Sequence, residues 1–170
     1  MLYFLIFGVE IVLNEKLREM SIPRISIITR LILENRGEIL LLAQTTKNGG
    51  KFSLPGGKVE ANETPIEALV RECREEADIN VKVENLRLVH VLHRQKTDEV
   101  HIVIYFKTIR WHGNLMSKEP KKFKHVGWHP LDNLPKKMSK ITRSVLDKFH
   151  KGVLYSEVVS NKVITDIETN

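Results

Sequence analysis

Three glutamates stand close together in the run RECREEADI, which covers residues 71–79. Glu72, Glu75 and Glu76 have the spacing i, i+3 and i+4, so on a helix they project from one side. Like charges at this spacing destabilise an isolated helix. Mg²⁺ prefers oxygen ligands such as carboxylates, and a bound cation turns the repulsion into shared attraction. The cluster therefore indicates either a site for a hard divalent cation or a solvated acidic face balanced by neighbouring arginines.

The acids need a helix to position them, and the sequence marks both of its ends. Thr64 suits the N-cap and Pro65 the first helical position, while Glu67 completes a capping box with Thr64. The helix is expected to end near Asp78, because a pattern typical of strands follows. Apolar residues at spacings of three and four form a separate stripe: Ile66, Leu69, Val70, Cys73 and Ala77. Since this stripe faces the core, the glutamates point elsewhere.

Strands and a second helix surround this segment. Runs rich in β-branched residues predict strands, and an amphipathic run predicts a helix near the end of the chain. The predicted strands are 24–35, 39–44, 79–93, 98–111 and 123–130, and the second predicted helix is 136–152. We expect 79–93 and 98–111 to form a long antiparallel pair. The order of elements predicts an α/β or α+β layered domain, with a mixed sheet and helices on its faces.

The segment GKVEANETPIEALVRECREEADI, residues 57–79, resembles the Nudix box. That motif combines a glycine, a glutamate, an Arg-Glu pair and a Glu-Glu pair at fixed spacing. The matching residues are Gly57, Glu63, Arg71, Glu72, Cys73 in an apolar slot, Glu75, Glu76 and Ile79. Asp78 stands where the family has a glycine. Aspartate tolerates left-handed backbone geometry better than most residues, so we expect the turn to survive. The likeness extends roughly over 21–151.

The resemblance implies a fold, an activity and a set of roles. The fold is an α/β/α sandwich around a mixed β-sheet. The activity is hydrolysis of a phosphoanhydride in a nucleoside diphosphate linked to another group X, with Mg²⁺ or sometimes Mn²⁺. Carried over, Glu75 and Glu76 are metal ligands, and Glu72 is a ligand or the base that activates water. The carbonyl of Gly56 is a further ligand, and Arg71 orients the acids.

Other residues receive less specific expectations. Gly57 opens the box, and Glu63 has a structural or outer role. Glu119 matches a loop glutamate that family members use as an extra ligand or as the base, and its alternative is an exposed loop acid. Candidates for contact with substrate phosphate are Lys51, Arg30 and Arg94, and the alternative for each is an ordinary surface residue.

Two classes of function compete. The first is a metal-dependent nucleotide pyrophosphohydrolase acting on a nucleoside triphosphate or a nucleotide sugar. The second is a non-catalytic module of the same fold that binds nucleotide or RNA. The intact acids favour the enzyme, because a module that only binds does not need all of them. The partner is then a small nucleotide, nucleic acid is not obligatory, and the oligomeric state, a homodimer included, is left open.

Composition sets the outer limits. The chain has 170 residues, a net charge of +6 and one cysteine, which excludes an internal disulfide framework and favours a cytoplasmic setting. The positive charge favours anionic partners. We expect a single domain at 20–152, an apolar N-terminal extension at 1–19 and a C-terminal tail at 153–170. The apolar run 1–13 is shorter than the 20 or so residues of a membrane span. A membrane-surface anchor and a partner-binding segment are the rival interpretations of this extension.

Overall fold

The computed structural model describes residues 23–159 and the backbone of 162–168. Its α-helices are α1 (Pro65–Ala77) and α2 (Lys140–His150). Its strands are β1 (Arg24–Asn35), β2 (Glu38–Gln44), β3 (Phe52–Ser53), β4 (Ile79–Asn80), β5 (Arg87–Gln95), β6 (Glu99–Thr108), β7 (His112–Gly113), β8 (Phe123–Pro130), β9 (Val153–Val159) and β10 (Lys162–Glu168). The predicted extension 1–19 lies outside the described residues. Neither described helix has the length and hydropathy needed to cross a bilayer.

One mixed sheet dominates the fold. Its strand order is β10-β9-β5-β6-β1-β2-β3, and β8 also pairs with β2. β1 pairs with β6 in parallel, and β5 pairs with β9 in parallel, whereas the remaining pairs in the sheet are antiparallel. The predicted antiparallel pair of β5 and β6 is present, with Leu92 opposite Val103. β4 and β7 form a separate two-stranded sheet.

Two apolar layers lie on opposite faces of this sheet. Alternate residues of a strand point to opposite faces, so Leu31 of β1 packs in the layer of α1, whereas Ile32 packs in the layer of α2. The first layer includes Leu69 and Cys73 from α1, and the second includes Val145 from α2. Full burial of one such leucine contributes about 2 kcal/mol. This arrangement confirms the predicted α/β/α sandwich.

Local signals fix the ends of the helices. The Thr64 hydroxyl accepts a hydrogen bond from the backbone N–H of Glu67, and the Glu67 carboxylate accepts one from the N–H of Thr64, as the capping box predicts. Asp78 ends α1 in the left-handed conformation with φ 54°, which confirms the expected exit turn. The second helix begins later than predicted, because the Ser139 hydroxyl caps it by accepting from the N–H of Thr142.

The segment after Gly152 is built into the sheet and is not a loose tail. β9 lies between β5 and β10, and Val153, Ser156 and Val158 are buried. The fully buried ring of His90 on β5 holds β9 in place. Its Nδ1 donates to the carbonyl oxygen of Val153 at 2.9 Å, and its Nε2 lies 2.9 Å from the hydroxyl of Ser156. Residues 153–159 therefore belong to the same sheet as β5, and the predicted boundary at 152 has to move.

Candidate active site

The site begins at a glycine turn that runs beside β1. The backbone N–H of Leu31 donates to the carbonyl of Pro55 at 2.9 Å, and that of Thr29 donates to the carbonyl of Gly57 at 2.8 Å. Gly56, between them, has φ 122°, and a Cβ at this position would overlap with the backbone of Thr29. Only glycine lets the turn approach the strand this closely.

Both glycines of this turn meet acids of α1. A Cβ on Gly57 would overlap with the carboxylate of Glu72, so that carboxylate packs directly against the Gly57 backbone. The N–H of Gly56 donates to Oε2 of Glu76 at 2.9 Å. The turn therefore positions two acids of the helix. Glu72 fits because Gly57 has no side chain, and Glu76 is held by the backbone N–H of Gly56.

Arg71 organises three acids with one guanidinium group. It donates twice to Glu63, at 3.0 Å from Nε and 2.7 Å from Nη2. Its Nη1 donates to Glu72 at 3.0 Å and to Glu75 at 3.2 Å. The hydrogen bond from Arg71 lowers the pKa of Glu63, and the bonds to Glu63 raise the pKa of Arg71. Arg71 is thus charged at every working pH and holds the acids in one cluster.

Glu76 is the most deeply placed acid of the group. Its relative exposure is only 2%, and burial raises its pKa. Two donors oppose that shift: the N–H of Gly56, and the ammonium of Lys122, whose Nζ lies 2.7 Å from Oε1 of Glu76. Lys122 belongs to the segment between β7 and β8, so it connects that segment with α1.

Glu119 contacts the same lysine, Lys122, and lies near the acids of α1 for that reason. Its Oε2 lies 3.2 Å from Nζ of Lys122, yet this shielded oxygen accepts no hydrogen bond within the described residues. The contact with Lys122 is an ion pair. The Glu119 side chain is 41% exposed, so its carboxylate can also meet a ligand or an ion from solvent.

The chain matches a family of known proteins over most of its length. The model of the NUDIX domain covers residues 23–149. This chain belongs to the NUDIX family. The match ends before β9, so β9 and β10 lie outside the region that the family model describes. Members of the family generally use divalent metal ions.

Individual relatives belong to two named classes. An NAD-capped RNA hydrolase NudC of Pectobacterium carotovorum is 31% identical over 106 residues, which are 62% of this chain and 39% of the relative. An 8-oxo-dGTP diphosphatase of Escherichia coli K12 is 31% identical over 99 residues, 56% of this chain and 74% of the relative. The chain thus matches well under half of the NudC length and most of the shorter enzyme.

Solved structures of the family share the fold. A MutT NUDIX hydrolase from Burkholderia pseudomallei superposes with a TM-score of 0.65 and 26% identity, covering 73% of this chain and 97% of the other. A MutT protein from Bacillus halodurans has a TM-score of 0.63 and 21% identity, covering 83% and 95%. At 21% identity, the similarity to the Bacillus halodurans protein concerns the fold alone.

The donors of this Nudix chain fit a hard divalent cation in chemistry. Glu72, Glu75 and Glu76 supply carboxylate oxygens on one side of α1, and Glu119 adds the acceptor without a hydrogen bond. As placed, no three acidic, imidazole or thiol groups among residues 23–159 converge on one point. Cationic side chains contact these acids: Arg71 contacts Glu72 and Glu75, and Lys122 contacts Glu76 and Glu119.

The predicted substrate contacts lie in a separate hollow on the α2 face of the sheet. Arg30 and Lys51 line one pocket of about 160 Å³ together with Tyr105 and Thr142. Arg94 does not line it but acts on the same tyrosine: burial raises the pKa of Tyr105 to about 12, and the positive charges of Arg30 and Arg94 work against that shift. The structure therefore brings Arg30 and Lys51 together at one pocket, and Arg94 is not among the residues that line it.

Two residues of the site escaped the sequence interpretation. Lys122 is one of four lysines between residues 118 and 124, and no local signal shows which of them reaches Glu76. Tyr105 lies within a strand pattern that predicts only packing, although β6 places it directly opposite Arg30 of β1. Only the parallel register of β1 and β6 shows that Tyr105 lies beside Arg30, and this register is known only once the fold is known.

Proposed function

We propose that this Nudix chain hydrolyses a phosphoanhydride bond in a nucleoside diphosphate linked to X, with Mg²⁺ as the preferred cation and Mn²⁺ as a substitute. The observation that carries the proposal is the joint placement of Glu72 and Glu76 against the turn Gly56–Gly57, with Arg71 holding Glu72 and Glu75. A fold that only binds nucleotide needs no such arrangement of acids.

A nucleoside triphosphate is the proposed substrate class. The 8-oxo-dGTP diphosphatases match this chain over 74% and 89% of their length, whereas the first NudC relative matches over only 39% of its length. The matched region thus covers most of a diphosphatase and less than half of a NudC enzyme. The expected products are a nucleoside monophosphate and pyrophosphate.

The acids and Arg71 divide the work of the site. Glu72, Glu75, Glu76 and the carbonyl of Gly56 would hold the cation. When bound, Mg²⁺ neutralises the diphosphate and makes a bound water easier to deprotonate. Arg71 keeps the carboxylates in position through its bonds to the acids, as outer contacts of metal ligands generally do.

The proton of the attacking water needs an acceptor within hydrogen-bond reach. Glu72 and Glu119 compete for this role. The guanidinium of Arg71 donates to Oε1 of Glu72 at 3.0 Å, whereas the cation beside Oε2 of Glu119 is the ammonium of Lys122, 3.2 Å away on a side chain that is 45% exposed and can move. This difference favours Oε2 of Glu119 as the proton acceptor and Glu72 as a ligand.

The nucleoside part is proposed to enter the pocket beside Tyr105. Arg30 and Lys51 place two positive charges at its wall, which suits the phosphates that follow the sugar. Thr142 and Tyr105 add hydroxyl groups that can form hydrogen bonds to a sugar or a base. Arg94 contributes through its charge, which acts on Tyr105.

A panel of substrates tests the proposal. Canonical and 8-oxo nucleoside triphosphates, a nucleotide sugar, ADP-ribose and NAD are incubated with Mg²⁺, and the products are identified by ³¹P NMR. We expect nucleoside triphosphates to give the fastest release, and Glu119→Gln to lower kcat by about 100-fold or more. If the wild type binds nucleotides but releases no product from any of them, the non-catalytic binding module replaces this proposal.

A further inference from the structure

Lys122 lies between two acids that belong to different parts of the fold. Its Nζ is 2.7 Å from Oε1 of Glu76 on α1 and 3.2 Å from Oε2 of Glu119 in the segment before β8. The same ammonium group lies 4.9 Å from the ring centroid of Phe123. A single positive charge is thus shared by a buried acid and a loop acid.

Glu76 depends on this charge when no other cation is bound. A buried carboxylate without a partner is strongly destabilising, because it loses the hydration that it has in the unfolded chain. The N–H of Gly56 satisfies Oε2, and Lys122 is the contact that satisfies Oε1. Removal of Lys122 therefore leaves one oxygen of a 2%-exposed carboxylate without its charged donor.

The two cations of the site differ in how easily they can withdraw. Arg71 is anchored by two hydrogen bonds to Glu63, outside the cluster that faces the metal. Lys122 has a flexible stem, and its side chain is 45% exposed, so its ammonium group can move into water. Lys122, and not Arg71, is the group that can exchange with a metal ion.

We propose that Lys122 is a resident counter-cation of the metal site. In the metal-free protein it neutralises Glu76 and Glu119 and keeps them together. It has to withdraw before Glu76 can bind a divalent cation, and its withdrawal also releases Glu119. Lys122 is therefore a positioning residue that lowers the affinity for metal and stabilises the metal-free fold. This inference rests on the metal site proposed above.

Mn²⁺ binding without nucleotide tests the competition. The apparent Kd is measured by electron paramagnetic resonance for the wild type, Lys122→Met and Lys122→Arg. Methionine is a long unbranched side chain like lysine but has no charge, so Lys122→Met is expected to bind Mn²⁺ about fivefold more tightly. Lys122→Arg keeps the charge and should stay near the wild-type Kd. Lys121→Met removes the exposed neighbouring charge and serves as the matched control, with an unchanged Kd expected.

Thermal unfolding supplies a second readout that a purely structural role does not produce. In EDTA, Lys122→Met should have a lower Tm than the wild type, because Glu76 lacks its partner. Saturating Mn²⁺ should remove the difference, because in both proteins the metal then neutralises the acids. If Lys122→Met does not fold, Lys122→Gln replaces it in both measurements.

The possible outcomes separate this inference from the metal site itself. If the wild type binds Mn²⁺ and loss of the Lys122 charge leaves the Kd unchanged or weakens binding, the counter-cation role is refuted while the metal site stands. If the wild type binds no Mn²⁺ and Glu75→Gln behaves identically, the proposed metal site is refuted and the inference with it.

Discussion

At the scale of single residues, Arg71 does more than balance charge. Its guanidinium plane reaches Glu63 on one side and Glu72 with Glu75 on the other. A planar group with five donors can form these bonds together, whereas an ammonium group on a single stem cannot match their directions. The geometry of the acids therefore depends on the shape of Arg71 as well as on its charge.

Arg71→Lys tests this dependence on shape. We expect kcat/KM to fall about 10- to 100-fold, the range usual for outer contacts that orient metal ligands, while the fold persists. Arg74→Lys is the control, because Arg74 is exposed on the same helix. Activity close to that of the wild type in Arg71→Lys would show that charge alone is enough.

The ion pair between Glu63 and Arg71 predicts a dependence of stability on pH. Because Arg71 lowers the pKa of Glu63, the pair stabilises the fold above the usual pKa of a glutamate, and this contribution is lost as the pH falls through the lowered pKa. The wild type should therefore be more stable than Glu63→Gln near neutral pH, and the gap should close as the pH falls below the usual pKa of a glutamate. Urea unfolding at several pH values measures it, with Glu84→Gln, an exposed acid 4.0 Å from Lys82, as the control. A gap that does not change with pH would contradict the assigned partner.

At the scale of elements, the glycine turn and α1 together position the acids of the candidate site. Gly56 is constrained by the backbone of β1, whereas Gly57 is constrained by the movable side chain of Glu72. Gly56 and Gly57 are therefore required for different structural reasons. The first lets the turn lie against the sheet, and the second leaves room for a carboxylate.

Alanine at each glycine should separate folding from activity. Gly56→Ala meets a rigid backbone at positive φ, so it should lower the free energy of unfolding by about 2 kcal/mol or more. Gly57→Ala only has to push the Glu72 carboxylate aside, so stability should fall by less than about 1 kcal/mol while activity is largely lost. Chemical denaturation and kcat measured on the same samples decide between these outcomes. Full activity in Gly57→Ala would show that the Glu72 carboxylate has no fixed place.

The sequence predicted the helix and its exit turn because their signals are local. The capping box at Thr64 and the spacing of the acids lie within 14 consecutive residues, 63–76, and the exit at Asp78 adopts the expected left-handed turn. The place of β9 was not predictable in the same way. Its contact with β5 joins His90 and Val153, which are 63 residues apart, and the alternation in 153–159 does not name the partner strand. The contact of Lys122 was not predictable for the same reason, because its partner Glu76 lies 46 residues away in the sequence.

At the scale of the whole molecule, β9 joins the end of the described domain to the sheet that carries the pocket beside Tyr105. His90 contacts Ser156 on one side and the ring of Tyr105 on the other, with centroids 5.7 Å apart. The buried polar contact therefore lies next to a residue that lines the pocket. Loss of β9 would expose the edge of β5 and remove the cover of Leu92, whose partner across the strands is Ser156.

Ser156→Ala tests how strongly β9 is held. It removes the hydroxyl that lies 2.9 Å from Nε2 of the buried His90, so we expect a loss of about 2 kcal/mol in the free energy of unfolding. Ser144→Ala, at a half-buried serine of α2, is the control and should change stability little. An unchanged unfolding midpoint in Ser156→Ala would mean that β9 is held by its backbone pairing alone.

The dependence of the reaction on metal concentration tests the central claim most directly. Initial rates on the best substrate of the panel are measured across a Mg²⁺ titration for the wild type, Glu75→Gln and the control Glu84→Gln. We predict saturable activation by Mg²⁺ in the wild type and the control, no activity in EDTA, and a rate at least about tenfold lower in Glu75→Gln at every Mg²⁺ concentration. A wild-type rate that persists in EDTA, or equal rates in the wild type and Glu75→Gln, would contradict a metal site on α1.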